Sequence, residues 1–127
     1  MAEAVLDASA LVDLLLDNDL GGAVRRRIAG HSLHAPAHID AEVLSAFGRL
    51  NRAGELAPSS VGSKLHDLAV APIRRHPATE LLLGTWARRH QLLLVDAVYV
   101  ELAVSLGAPL VTTDRRLHAA PSVEVVT

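Results

Sequence analysis

The chain has 127 residues, half of them hydrophobic and a fifth charged, which suits one compact domain and excludes a disordered chain. Cysteine is absent, which excludes a disulfide framework, thiol catalysis and a cysteine-based zinc site. No apolar run approaches the ~20 residues that cross a bilayer, and Glu3, Asp7, Asp13, Asp17 and Asp19 give the first stretch the wrong charge for a secretory leader, so a soluble, cytoplasmic protein with no membrane role is expected.

In chain order, Ala4-Val5-Leu6 reads as a first strand. A helix over 9–16 follows, with Ser9 as its N-cap and Asp17-Asn18-Asp19 with Gly21-Gly22 as its stop. A second helix covers about 23–29. A weak strand at Ser32-Leu33-His34 leads to a third helix, beginning at Pro36, where proline suits the first turn, and ending at Ala53-Gly54. Its apolar stripe is Ile39, Val43, Phe47 and Leu50. A helix over 59–68 and the short apolar run Leu68-Ala69-Val70-Ala71 come next, then a helix over 78–90 and the run Leu92-Leu93-Leu94-Val95. The last part reads as a helix over 96–106 stopped by Gly107 and Pro109, a strand at Leu110-Val111, a short helix after Asp114 and a strand within 123–126. Strands separated by helices predict the α/β class: a single three-layer domain, 1–127, with a parallel sheet of about five strands flanked by helices.

The net charge is −2, but eleven of the twelve basic residues are arginine, and most are clustered: Arg25-Arg26-Arg27, Arg74-Arg75, Arg88-Arg89 and Arg115-Arg116. Arginine forks onto phosphate, so a phosphorylated partner is compatible with the net sign. With aromatics at 2%, a base-stacking platform is disfavoured and a nucleic-acid backbone is the better match.

Open parallel sheets build their sites at the carboxyl ends of strands. Acids fall at each such place: Asp7 after the first strand, Asp96 after the Leu92–Val95 run, Asp114 after Leu110-Val111-Thr112-Thr113, and Asp40 or Glu42 in the first turns of the third helix. Capping explains Asp96 and Asp114 singly. It explains Asp7 less well, because Ser9 already serves as the cap. Asp40 and Glu42 flank the apolar stripe on opposite sides, and periodicity does not choose between them. Clustered carboxylates raise one another's pKa unless a cation joins them. Mg²⁺ and Mn²⁺ take oxygen ligands and bridge to phosphate, which makes phosphodiester chemistry the natural use of such a cluster.

Four segments carry a resemblance: Val5-Leu6-Asp7-Ala8-Ser9, Ile39-Asp40-Ala41-Glu42-Val43, Val95-Asp96-Ala97-Val98-Tyr99 and Leu110-Val111-Thr112-Thr113-Asp114-Arg115-Arg116. In order and spacing they resemble the PIN-domain family, and within it the VapC toxins of bacterial toxin–antitoxin pairs. The resemblance implies a toxin that is a metal-dependent endoribonuclease cleaving structured RNA such as tRNA or rRNA, with Asp7, Glu42, Asp96 and Asp114 binding Mg²⁺ or Mn²⁺. It selects Glu42 over Asp40. It places Ser9 and Thr112 beside the metal as supporting hydroxyls, and it implies a homodimer and a VapB-type antitoxin that inhibits the enzyme. Arg115 and Arg116 are the expected substrate-binding residues. Residues 54–79 match nothing distinctive.

Three other readings compete. His31, His34 and His38 suggest zinc, but Pro36 prevents them from sharing a helical face. The stretch from Asp17 to Gly21 hints at a calcium loop, but Ile28 stands where the bidentate Glu is required. A non-catalytic Mg²⁺-binding signalling or interaction module would also gather acids at strand ends. A receiver-type module needs a late-strand lysine, whereas the only lysine, Lys64, lies earlier in a helical segment.

Overall fold

The computed structural model describes residues 2–127. Its elements are β1 (Glu3–Leu6), α1 (Ala8–Leu16), α2 (Asp19–Ile28), β2 (Ser32–Pro36), α3 (Ile39–Arg52), α4 (Pro58–Val70), β3 (Ile73–His76), α5 (Leu82–Ala87), α6 (Leu94–Leu106), β4 (Leu110–Thr112) and β5 (Val123–Val125). The strands form one sheet in the order β3-β2-β1-β4-β5, and every neighbouring pair is parallel. This is the expected α/β architecture, with five strands.

Parallel strands joined by helices have both faces covered, so the central strands are apolar throughout. Ala4, Val5 and Leu6 of β1 and Leu110 and Val111 of β4 are fully buried. Ile39, Val43 and Phe47 of the α3 stripe are likewise fully buried. Each such side chain contributes about 1.5–3 kcal/mol through burial. Gly21 lets α2 close against α1, since a Cβ there would lie 2.1 Å from the Asp13 carbonyl oxygen.

Several sequence expectations are corrected. The run at 68–71 is not a strand: Leu68 and Val70 end α4, with Leu68 buried and Leu65 packed on the core one turn earlier. The strand is Ile73–His76, which reads as polar because it lies at the sheet edge and only Ile73 is buried. Pro36 ends β2 instead of opening a helix, and α3 starts at Ile39. Asn18 caps α2 through the Gly21 amide, so that helix starts at Asp19, earlier than 23. The helix over 78–90 divides into a 3₁₀ turn at Ala78–Glu80 and the short α5. Leu92–Val95 forms no strand, because α6 already begins at Leu94. The short helix after Asp114 is a 3₁₀ turn, Arg115–Leu117. Among the described residues no helix is long and apolar enough to cross a membrane.

Candidate active site

Chain connections run from β1 towards β2 on one side and reach β4 on the other, so the sheet's topological switch lies between β1 and β4. Open parallel sheets offer a crevice there, outside the carboxyl ends of the strands. A cleft of about 360 Å³ occupies this position, and Asp7, Glu42, Asp96 and Asp114 all line it.

Asp7 follows the last residue of β1 and is itself the N-cap of α1, replacing Ser9 in the role expected for it. Its Oδ1 accepts from the Ala10 backbone N–H at 2.9 Å and from the Ser9 hydroxyl at 2.7 Å. Its Oδ2 accepts from the fully buried Thr112 hydroxyl at 2.5 Å. Capping and site membership are therefore not alternatives at this residue. Burial pushes the Asp7 carboxyl up to about 6, further helped by the charge of Asp114, while the three hydrogen bonds restrain the rise.

Glu42 stands in the first turn of α3. Its Oε1 accepts from the Tyr99 hydroxyl at 2.5 Å, and His38 Nε2 approaches the same oxygen at 3.2 Å. That approach is within ion-pair distance but is not aligned as a hydrogen bond, and His38 Nε2 has no other partner. Burial pushes Glu42 up, but His38 and the Tyr99 hydrogen bond together outweigh it and hold the carboxyl below its usual range. Asp40 points elsewhere: its two oxygens take Nη2 and Nε of Arg75 at 3.0 and 3.2 Å. The structure thus places Glu42, and not Asp40, in the cleft.

Asp96 lies in the first turn of α6, whose N-cap is Leu93, so the capping role considered for Asp96 does not apply. Burial raises its carboxyl, and the charges of Asp114 and Glu42 raise it further against the pull of Arg116. Asp114 caps the 3₁₀ turn through the Arg116 amide. The Arg116 guanidinium forks onto both Asp114 oxygens, at 2.7 Å from Nη2 to Oδ2 and 3.0 Å from Nε to Oδ1, and holds that carboxyl below its usual value.

Ser9 lines the cleft, and Thr112 supports Asp7 from beneath. Arg116 lines the cleft but Arg115 does not. Sequence reasoning missed three polar lining residues. Tyr99 lies within the Val95–Tyr99 segment, and a tyrosine three residues after a site aspartate on a helix shares its face. Asp13, one turn after Ser9, accepts from Thr113 at 2.7 Å and Asn18 at 2.8 Å. Arg49 lies two turns after Glu42 on the same side of α3.

The donor set is all oxygen and negatively charged, two of its members are raised towards neutrality, and a guanidinium supplies the nearest positive charge. This chemistry fits a hard divalent cation. Among the described residues no three acids or histidines converge closely enough to cage an ion. Mg²⁺ commonly takes one or two carboxylates and completes its shell with water and substrate phosphate, so an open arrangement suits it. The histidines form no zinc site: His34 bonds Glu3 at 2.5 Å and His76 at 2.8 Å, while His31 turns to the Ala29 carbonyl. Lys64, the lysine a receiver-type module would need, instead donates to the Leu15 carbonyl and does not line the cleft.

Residues 4–122 match the PIN domain family. The chain therefore belongs to the PIN-domain family. Within it the relatives are VapC proteins: Ribonuclease VapC3 of Mycobacterium tuberculosis is 51% identical over 126 residues, covering 98% of this chain and 92% of that protein. The crystal structure of M. tuberculosis VapC20, a Sarcin-Ricin loop cleaving toxin, shares the fold with a TM-score of 0.71 at 18% identity, covering 98% and 100% of the two chains. VapBC2 from Rickettsia felis, solved bound to a DNA fragment from its promoter, shares it with a TM-score of 0.65 at 15% identity and covers 98% of each chain.

Proposed function

We propose that this chain is the toxin of a toxin–antitoxin pair, an endoribonuclease that hydrolyses phosphodiester bonds of structured RNA such as tRNA or rRNA in the carboxylate cleft. The ribonuclease names of the VapC relatives support the activity. The observation that carries the reading for this chain is the convergence of Asp7, Glu42, Asp96 and Asp114, from four separate elements, on the crevice at the sheet's switch point.

Asp7, Glu42, Asp96 and Asp114 would hold Mg²⁺ or Mn²⁺, which when bound supplies Lewis-acid activation of water and charge neutralisation at the phosphate. Thr112 and Ser9 fix the two oxygens of Asp7, and Tyr99 fixes Glu42, so that these carboxylates keep their orientation without substrate. Arg116, already at the cleft and 78% exposed at its side chain, has the reach to leave Asp114 and take a substrate phosphate.

A VapB-type antitoxin is the expected inhibitor, in line with the VapBC complex among the structural neighbours. The chain is also read as a homodimer. Leu82, Leu83 and Trp86 of α5 and Leu93, Leu94 and Val95 at the start of α6 are exposed together. An apolar patch of this kind usually meets another protein surface. Light scattering of the purified chain, beside Leu83→Asp, tests the dimer: a dimeric wild type with a monomeric variant is expected, and a monomeric wild type refutes it.

The nuclease reading is tested by incubating the chain with defined tRNA transcripts and ribosomal RNA, with Mn²⁺ or with EDTA. Discrete fragments that require the metal are expected. A folded protein that cleaves neither RNA in Mn²⁺ contradicts the reading.

A further inference from the structure

Half of the twelve basic side chains of this protein have an ionic or aromatic partner. Arg25, Arg27, Arg75, Arg88 and Arg116 each form an ion pair, with Asp17, Glu124, Asp40, Glu101 and Asp114 respectively. Arg89 lies over the Trp86 ring, its Cζ 4.7 Å from the centroid. Arg49 differs. It lines the same cleft as the site carboxylates, yet among the described residues it pairs with none of them. Its Nη1 donates only to the Ser45 hydroxyl, one turn back on its own helix, at 3.0 Å.

The position is set by helix geometry. Arg49 follows Glu42 by seven residues, two turns of helix and about 10 Å along the axis. Ala46 lies between them on the same face and also lines the cleft, so a small side chain leaves the path from Glu42 to Arg49 open. Arg116 stands on a different wall, beyond β4. One arginine therefore sits on the acid it neutralises, and the other, exposed, lines the cleft with no anion to neutralise. The exposed Arg52 extends the basic strip to the end of α3.

A polyanion that places one phosphate at the carboxylates carries further phosphates on either side. Arginine matches them with a planar two-point fork and is cheaper to desolvate than lysine. We propose that Arg49 binds a backbone phosphate of the RNA flanking the bond to be cut, so that the substrate leaves the cleft along α3. This rests on the nuclease reading of the cleft and names the wall along which its substrate runs. Arg49 positions the strand and takes no part in the bond-making step.

The test uses the full chain carrying Asp96→Asn, so that RNA is bound without being cut. Its binding to a fluorescein-labelled 20-nucleotide single-stranded RNA of mixed sequence is followed by anisotropy in Mn²⁺ from 50 to 200 mM KCl, alone and with Arg49→Gln, Arg49→Lys or Arg25→Gln added. Each phosphate contact on a single strand contributes about 0.7 to the slope of log affinity against log salt. Arg49→Gln is expected to lower that slope by about 0.7 and weaken binding about three- to tenfold at 100 mM KCl. Arg49→Lys should restore the slope, Arg25→Gln should leave it unchanged, and Mn²⁺ affinity by calorimetry should be the same in all four. An unchanged slope in Arg49→Gln overturns the assignment while leaving the nuclease reading intact. A folded parent that, in saturating Mn²⁺, binds neither this strand nor a labelled tRNA transcript overturns both.

Discussion

The Thr112 hydroxyl donates to Asp7 Oδ2 at 2.5 Å and accepts from the Asp114 backbone N–H at 2.9 Å. One buried hydroxyl at the end of β4 thus ties together two of the four acids, although Asp7 lies 105 residues away in sequence. The link also explains why the second carboxylate oxygen of Asp7 is satisfied while its first caps α1.

Replacing this hydroxyl with a methyl group of similar shape isolates its role. Thr112→Val should cost about 1–3 kcal/mol, because it leaves the Asp114 amide and an Asp7 oxygen without their partner. RNA cleavage should fall about 10–100-fold, the usual cost of losing a group that orients a metal ligand. Thr112→Ser keeps the hydroxyl and should retain most of the activity. Melting curves and initial cleavage rates of the two variants decide it, and equal activity in Thr112→Val refutes the role.

The buried Asp7 carboxyl has a pH signature. Its pKa rises from an ordinary 3.8 to about 6 on folding, so the unfolded chain releases this proton at lower pH than the folded one does. This group's contribution is therefore most favourable below about pH 4 and is lost as pH rises to about 6, by about 3 kcal/mol. Asp7→Asn removes the term and keeps an acceptor for the Ala10 amide. In metal-free buffer the melting temperature of Asp7→Asn relative to wild type should climb between pH 4 and 6 and then level off. Excess Mn²⁺ at pH 7 should raise the melting temperature of wild type and leave that of the variant unmoved. A constant difference across pH contradicts the burial argument.

Tyr99 is 2% exposed, and its hydroxyl is directed at Glu42 Oε1. Burial and the neighbouring Glu42 charge push the phenol far above its ordinary range, so it acts as a fixed donor. Tyr99→Phe should leave the fold in place, raise the Glu42 pKa and shift the pH dependence of Mn²⁺ binding to higher pH, with affinity about tenfold weaker at pH 7. Titration calorimetry at several pH values reads both effects. An unshifted profile means that Tyr99 serves packing alone.

Gly21 is a purely structural case. A Cβ would meet the Asp13 backbone at 2.1 Å, and backbone cannot rotate away. Gly21→Ala should cost about 1–3 kcal/mol by forcing α1 and α2 apart, visible as a melting temperature lower by several degrees. Gly22→Ala, where the nearest atom is a movable Arg26 guanidinium at 3.6 Å, should be tolerated.

The legibility of this chain in its sequence follows from which contacts are local. The apolar runs of β1 and β4 and the Ile39, Val43 and Phe47 stripe are periodic signals, and they appear where expected. The edge strand at Ile73 is illegible by periodicity, since a strand with one buried residue looks like a loop. The four acids were visible because each follows a strand or opens a helix. Periodicity leaves Asp40 and Glu42 indistinguishable and only the resemblance selects Glu42; the physical reason is Arg75, 35 residues away from Asp40, which takes the former. Ser9 resembled a cap because Ser is a good one, yet its hydroxyl instead points at Asp7 and Thr112, a contact across 103 residues. Arg115 and Arg116 are alike in sequence, and only the turn after β4 decides that Arg116 faces the cleft.

The most direct test of the account is a calorimetric Mn²⁺ titration of wild type against Asp96→Asn. Asp96 caps no helix and accepts no hydrogen bond among the described residues, so the amide is a nearly silent change in the metal-free fold. The account predicts one or more Mn²⁺ ions bound by wild type and affinity at least tenfold weaker in Asp96→Asn, with matching circular dichroism. Equal binding by the two proteins, or none by wild type, would contradict it.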